Sequence, residues 1–197
     1  HAQETQVRVL LEGQKQFFVP LFQRTYSWES RQWEALWNDI LSLYRLGPDN
    51  RHFLGSIVSK SLPRTPEGVS PFMIIDGQQR LTTLSILLVV LRDAYDRSEP
   101  KLAQKVQDLY LTNPHAPDAY QQKLMPTPAD RSAYSEILMR SPNEMIQSNV
   151  QGAFTYFQHR LRNSSVDLQR LEQTILSGLE VVSITLGETD NEFRIFE

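Results

Sequence analysis

The 197 residues carry 20 basic against 23 acidic side chains, a formal charge of -3, with 40% of positions hydrophobic and 22% charged. That balance supplies enough apolar surface for a core and argues against disorder. It excludes a broadly cationic nucleic-acid coat but leaves room for a local basic site, because phosphate affinity follows where charge is placed. No cysteine is present, which excludes disulfides, thiolate metal centres and cysteine nucleophiles together.

Length suits one domain, or one with a helical annex. The four histidines, at 1, 52, 115 and 159, are too scattered for a zinc-binding helix motif. Arginine outnumbers lysine 15 to 5, which favours recognition of anions by planar forks. The start, HAQETQVRVLLEGQ, lacks the basic-then-apolar pattern of a leader. The most apolar stretch, Leu84 to Leu91, is eight residues long where a membrane span needs about 20. A soluble, cytoplasmic protein is expected.

In chain order, Phe17, Phe18 and Val19 read as a short extended run stopped by Pro20. Trp33, Leu36, Trp37, Ile40, Leu41 and Tyr44 follow at the spacing of one buried helix face, ended by Gly47-Pro48. FLGSIVSKSL at 53–62 and FMIID at 72–76, separated by a turn-prone stretch, predict a hairpin. After Asp76-Gly77 a helix apolar on most sides runs to about Tyr95, and its composition predicts a central position. Beyond it the pattern is mostly helical. Leu102, Val106, Leu109 and Tyr110 mark one helix closed by Asn113-Pro114. Thr127-Pro128 with Asp130 starts a second, and Ser141-Pro142-Asn143-Glu144 reads as a capping box opening a third. A fourth runs through Leu168, Leu171, Ile175 and Leu179, with Gly178 as its candidate C-cap, before a returning strand near 180–187. A soft boundary near 97–100 predicts an α/β core over 1–97 and a mostly helical region over 98–197. At the end, Phe193, Ile195 and Phe196 sit as the beginning of a helix, from which a longer parent chain is expected.

Chemistry concentrates in two places. Asp76-Gly77-Gln78-Gln79-Arg80 joins an apolar strand to an apolar helix. There Gly77 permits a tight turn, free amides at the helix start attract phosphate, and Arg80 can fork onto its oxygens. Asp76 can hold a hydrated Mg²⁺ or orient water, and Gln78 and Gln79 can position water or hydrogen-bond a ligand. The plainer alternative is an ordinary strand–turn–helix with Asp76 as its cap. The second cluster, FVPLFQRTYSW at 18–28, places Gln23, Arg24, Tyr26 and Trp28 just before a helix. Arg24 can meet phosphate there and the aromatics can stack on a base, or the aromatics merely staple the helix entry. No GxxxxGK[ST] and no GxSxG is present, so neither a Walker site nor a nucleophile elbow is built.

These blocks, with W-x-x-L-W-x-D-I at 33–40, HFLGSIV at 52–58, IIDGQQRLTTLSILLVVLRD at 74–93, KLMPTPADR at 123–131 and RIFE at 194–197, resemble the N-terminal domain of the GmrSD-type modification-dependent restriction family. The resemblance spans the chain. It implies an α+β fold with a ParB/sulfiredoxin-like core, and nucleotide hydrolysis at the DGQQR loop. It also implies a C-terminal HNH-type nuclease domain, of which no His–Asn–His pattern can be read here. By position, Asp76, Gly77, Gln78, Gln79 and Arg80 form the nucleotide loop, with Gln23 and Arg24 converging on it. Asp76, Gln79 and Arg80 are the expected catalytic set, Mg²⁺ the expected metal with Asp76 its ligand, and GTP the expected substrate.

The expected partners are modified double-stranded DNA and that nuclease domain. Within the family the chain is similar to the phosphorothioate-sensing SspE branch. Pro20, Phe22 and Tyr26 beside Arg24 are the expected recess for a sulfur-substituted phosphate. Two rival readings remain: a non-catalytic module that clamps DNA phosphate with the same loop, and a purely structural interaction domain.

Overall fold

The hairpin expected at 53–62 and 72–76 organises the sheet. In a computed structural model that describes residues 1–140 and 147–190, strand β3 (His52–Ser61) pairs antiparallel with β4 (Ser70–Asp76). Strand β2 (Lys15–Phe18), the Phe17–Phe18 run, lies parallel to β4 on the other side. The returning strand, β6 (Leu179–Leu186), runs parallel to β3 in the interior of the sheet. Two further strands complete the order β1-β6-β3-β4-β2-β5: β1 (Ala2–Gln6), antiparallel to β6, and the two-residue β5 (Leu124–Met125), parallel to β2. The two edges escape a reading by periodicity because AQETQ has no apolar side and two residues have no period. The result is a mixed α/β fold in which one sheet takes strands from both halves of the chain.

Helix α3 (Gln78–Asp96) is central, as its composition predicts: fifteen of its 19 residues are buried. Around it pack α4 (Pro100–Val106, continued by a wider turn over Gln107–Leu111), α5 (Pro128–Met139), α6 (Asn149–Arg162) and α7 (Leu168–Gln173). A short α1 (Val7–Leu11) follows β1 directly. Helix α2 (Ser30–Leu46) buries Trp33, Leu36, Trp37, Ile40 and Leu43. Its indoles meet α6 through Trp33–Tyr156 and Trp37–Phe157 ring contacts. Aromatic pairs of this kind add about 0.5–1.5 kcal/mol beyond the area they bury.

Arg92 of α3 is fully buried yet satisfied: Nη1 donates to Gln107 Oε1 and to the Leu138 carbonyl, Nη2 to the Ile137 carbonyl, and Asp93 balances its charge. It ties the end of α5 to the central helix. Two helix-end expectations change. Thr127 stands at the N-cap of α5, but its hydroxyl donates to Asp130 Oδ2 instead of accepting from the helix. Gly178 is not left-handed, and its lack of a side chain makes room for Leu43, whose Cδ2 would lie 2.8 Å from an added Cβ. The capping box at 141–144 and the helix start at Phe193–Phe196 lie outside the described residues.

Candidate functional site

Gly77 decides the geometry. It ends β4 in the left-handed region, at φ 90° and ψ 10°, and an added Cβ would come within 2.8 Å of the Ser56 carbonyl oxygen and 3.0 Å of Ile57 Cγ1. Only glycine satisfies both the conformation and the close approach to β3. Helix α3 starts immediately afterwards, with the Leu81 amide as its first internal donor to Gly77. The amides of Gln78, Gln79 and Arg80 precede that first bond, and no side chain caps them. Asp76 is exposed and does not cap the helix, so the plainer strand–turn–helix reading lacks its capping bond.

Arg80 is aimed by β3. Its Nη1 donates to the Ser56 carbonyl at 2.5 Å, and its guanidinium lies where a Cβ of Gly55 would be. Gly55, at φ 119°, falls at a register irregularity between Phe53 and Ser56 in the β3–β6 pairing. This gives the glycine of HFLGSIV a physical reason. The strand bulges and loses a side chain where the arginine must lie flat.

The 23–28 segment closes the other side. Gln23 Nε2 donates to the Ile75 carbonyl, and its Oε1 faces Gln78 Nε2 at 3.4 Å. Together Gln23, Arg24, Trp28 and residues 76–80 line a cleft of about 440 Å³. The structure therefore brings together all seven residues expected at the nucleotide loop, with Trp28 as its aromatic wall.

A scan against family models matches residues 7–197 to the GmrSD restriction endonuclease, N-terminal domain. The chain belongs to that family. It is the N-terminal domain of a modification-dependent restriction enzyme. No curated protein matches the chain.

Within this GmrSD domain, not every expected site residue is free to act on a ligand in the cleft. Gln79 is buried and both ends of its amide are committed: Nε2 donates to the Thr25 carbonyl at 3.1 Å, and Oε1 accepts from the Ser27 amide at 2.8 Å. It holds the loop, leaving Gln78 as the glutamine whose oxygen accepts no hydrogen bond among the described residues. Tyr26 is 5% exposed. Its hydroxyl bonds to Thr83 Oγ1 at 2.7 Å and accepts from Trp33 Nε1 at 2.9 Å, and burial raises its pKa to about 12. A side chain so enclosed does not form a recess with Pro20 and Phe22. Phe22 and its neighbour Leu21 are instead 78% and 80% exposed. Pro20 and Phe22 are not among the residues lining the cleft.

One positioning residue escapes a sequence reading. Asp130 is buried, and its Oδ2 accepts from the Tyr26 amide at 2.7 Å and from the Thr127 hydroxyl at 2.7 Å. Asn149 at the start of α6 reaches the Tyr26 carbonyl at 3.3 Å. The helical half thus anchors the loop that carries Arg24 and Trp28. The signal was the PTPAD run, whose acid is also what an ordinary first helical turn would carry.

Proposed function

We propose that this domain binds a nucleoside triphosphate in the 440 Å³ cleft, with GTP as the expected substrate, and hydrolyses it in response to modified DNA. The observation that carries the reading is the convergence, on one uncapped helix start, of Gly77, Arg80, Arg24 and an exposed Asp76. Phosphoryl transfer asks mainly for positioning and charge stabilisation. Arg80, its Nη1 held by Ser56, would neutralise phosphate charge with its remaining donors. Arg24 would meet the phosphates from the opposite wall, Trp28 would pack against the base, and Gln78 would orient the attacking water. Gln79 acts one step back, by fixing the loop.

Among the described residues no three histidines, aspartates or glutamates gather as a metal cage. Mg²⁺ commonly binds through one or two carboxylates together with substrate phosphates, and the exposed Asp76 fits that donor set. When bound, the ion would offset the charge of the phosphate oxygens.

The modification read is proposed to be a phosphorothioate. Sulfur is a larger and weaker hydrogen-bond acceptor than oxygen, so apolar surface beside a cation favours it. Pro20 and the exposed Phe22, two residues from Arg24, offer that pairing without Tyr26. Hydrolysis in this domain would be coupled to the nuclease domain expected C-terminal to it.

The deciding experiment measures phosphate release from each of the four nucleotides, with no DNA, plain duplex and phosphorothioate duplex. Turnover that is lost in Asp76→Ala and Arg80→Ala supports the enzyme. DNA binding with no turnover of any nucleotide replaces it with the non-catalytic phosphate clamp.

A further inference from the structure

We infer that the groove between α2 and α6 is a second anion site, which takes the phosphodiester backbone of duplex DNA. It encloses about 510 Å³ and is separate in lining from the DGQQR cleft. Arg45 of α2 and His159 and Arg160 of α6 line it, with Ser164 and Ser165 beyond the helix end, and no carboxylate is among the lining residues. Arg162, on the same helix end, lines a different cleft together with Asp93.

Two plainer roles for these arginines are inadequate. The first is internal ion pairing. Arg8, Arg51, Arg92 and Arg140 each meet a carboxylate, whereas Arg45, Arg160 and Arg162 meet none among the described residues. Arg160 only rests on the Tyr156 ring and reaches Asn38 Oδ1 at 3.5 Å. The second is offsetting helix dipoles, since Arg45 lies in the last turn of α2 and Arg160 and Arg162 in that of α6. Only Arg45 and Arg160 line the groove; a helix end carries roughly half a negative charge, so two ends cancel about one of these two arginines and still leave the groove cationic.

The aromatic content decides which part of a nucleic acid fits. Trp37 is 1% exposed. Tyr44 has Arg170 over its ring at 4.2 Å, and its hydroxyl accepts from the Asp167 amide. Neither ring is free to stack on a splayed base, as a single-strand site requires. Ser164 Oγ donates to the Leu161 carbonyl, so what remains are fork donors, a ring N–H and the Ser165 hydroxyl, groups that hold a backbone.

The inference rests on the DNA-sensing part of the proposed function and assigns it a surface away from the nucleotide. The test is fluorescence anisotropy of a plain duplex from 50 to 200 mM salt, on the wild-type chain and on Arg45→Glu/Arg160→Glu. The slope of log K against log salt is expected to flatten by about 1.8, roughly 0.9 for each phosphate that an arginine no longer neutralises. Affinity should fall at least tenfold at the low-salt end, with the thermal midpoint and DNA-free hydrolysis unchanged. Arg45→Lys/Arg160→Lys should restore the slope. Unchanged affinity and slope in the glutamate variant, or no binding of duplex by the wild type, overturns the inference and leaves the groove to a protein partner. Absence of hydrolysis in every chain would defeat the nucleotide reading while the slopes still decide this one.

Discussion

Arg80 and Gly55 share one space. A Cβ on Gly55 would stand 2.8 Å from Arg80 Cζ and 2.9 Å from Nη2, so the bulged strand admits the guanidinium only because the glycine has no side chain. Gly55→Ala is therefore expected to displace Arg80 as well as strain a residue at φ 119°. Nucleotide turnover should fall about as far as in Arg80→Ala, on the order of 100-fold for one preorganised charge contact. If turnover in Gly55→Ala stays near wild type while Arg80→Ala is inactive, the glycine does not aim the arginine.

Gln79 separates loop positioning from chemistry. Because both ends of its amide meet the backbone of Thr25 and Ser27, Gln79→Glu keeps the acceptor for Ser27 and loses the donor to Thr25. A partly buried carbonyl left facing a carboxylate costs at most about 1–3 kcal/mol. The expected kinetic result is a raised KM, since Arg24 and Trp28 ride on that loop, with kcat reduced less. A loss confined to kcat, at wild-type KM and thermal midpoint, would instead place Gln79 at the reacting atoms.

Much of this arrangement was legible in the chain, for identifiable reasons. The hairpin of β3 and β4 and the burial of α3 follow from β-rich runs and an apolar helix, features that local sequence encodes directly. Gly77 and Arg80 were marked by a polar turn between two apolar elements, a pattern common before helices, and only the family resemblance of the DGQQR run singled them out. The partners of polar side chains were not. Gln79 looks as free to orient water as Gln78, and only the fold, by bringing in Thr25 and Ser27 from more than 50 residues away, distinguishes them. Tyr26 reads equally as a base-stacking ring or as a staple of the helix entry, and only the fold, through Thr83 and Trp33, draws it inward. Strand β1 was illegible because its pairing with β6 runs through the backbone, which AQETQ does not advertise.

Asp130 links the helical half to the cleft through the Tyr26 amide. Asp130→Ala leaves that buried amide and the Thr127 hydroxyl without their acceptor, a loss of about 1–3 kcal/mol per unsatisfied group. Stability in urea should drop accordingly, and amide exchange should rise across 23–28 before it rises in α3. Uniform loss of protection throughout the chain would mean that Asp130 supports the whole fold and not this loop in particular.

Lys123 makes stability depend on pH in a definite direction. Its side chain is buried and its ammonium donates to the Gly13 carbonyl beside Lys15. Burial first, and the charge of Lys15 second, lower its pKa to about 8. In the unfolded chain an ordinary lysine holds its proton to about 10.4. Between these values the unfolded state binds more protons, so stability is lowest below about pH 8 and rises as the pH climbs toward 10. One proton limits the slope to about 1.4 kcal/mol per pH unit. Lys15, lowered by burial, adds in the same direction. The buried tyrosines act oppositely but only above about pH 10, where unfolded phenols ionise while Tyr26 stays protonated to about 12. Urea unfolding of wild type and Lys123→Met at half-unit steps from pH 7.5 to 9.5 isolates the effect of this one side chain. The wild-type slope should exceed that of the variant throughout. Parallel curves would show that Lys123 keeps an ordinary pKa in the folded chain.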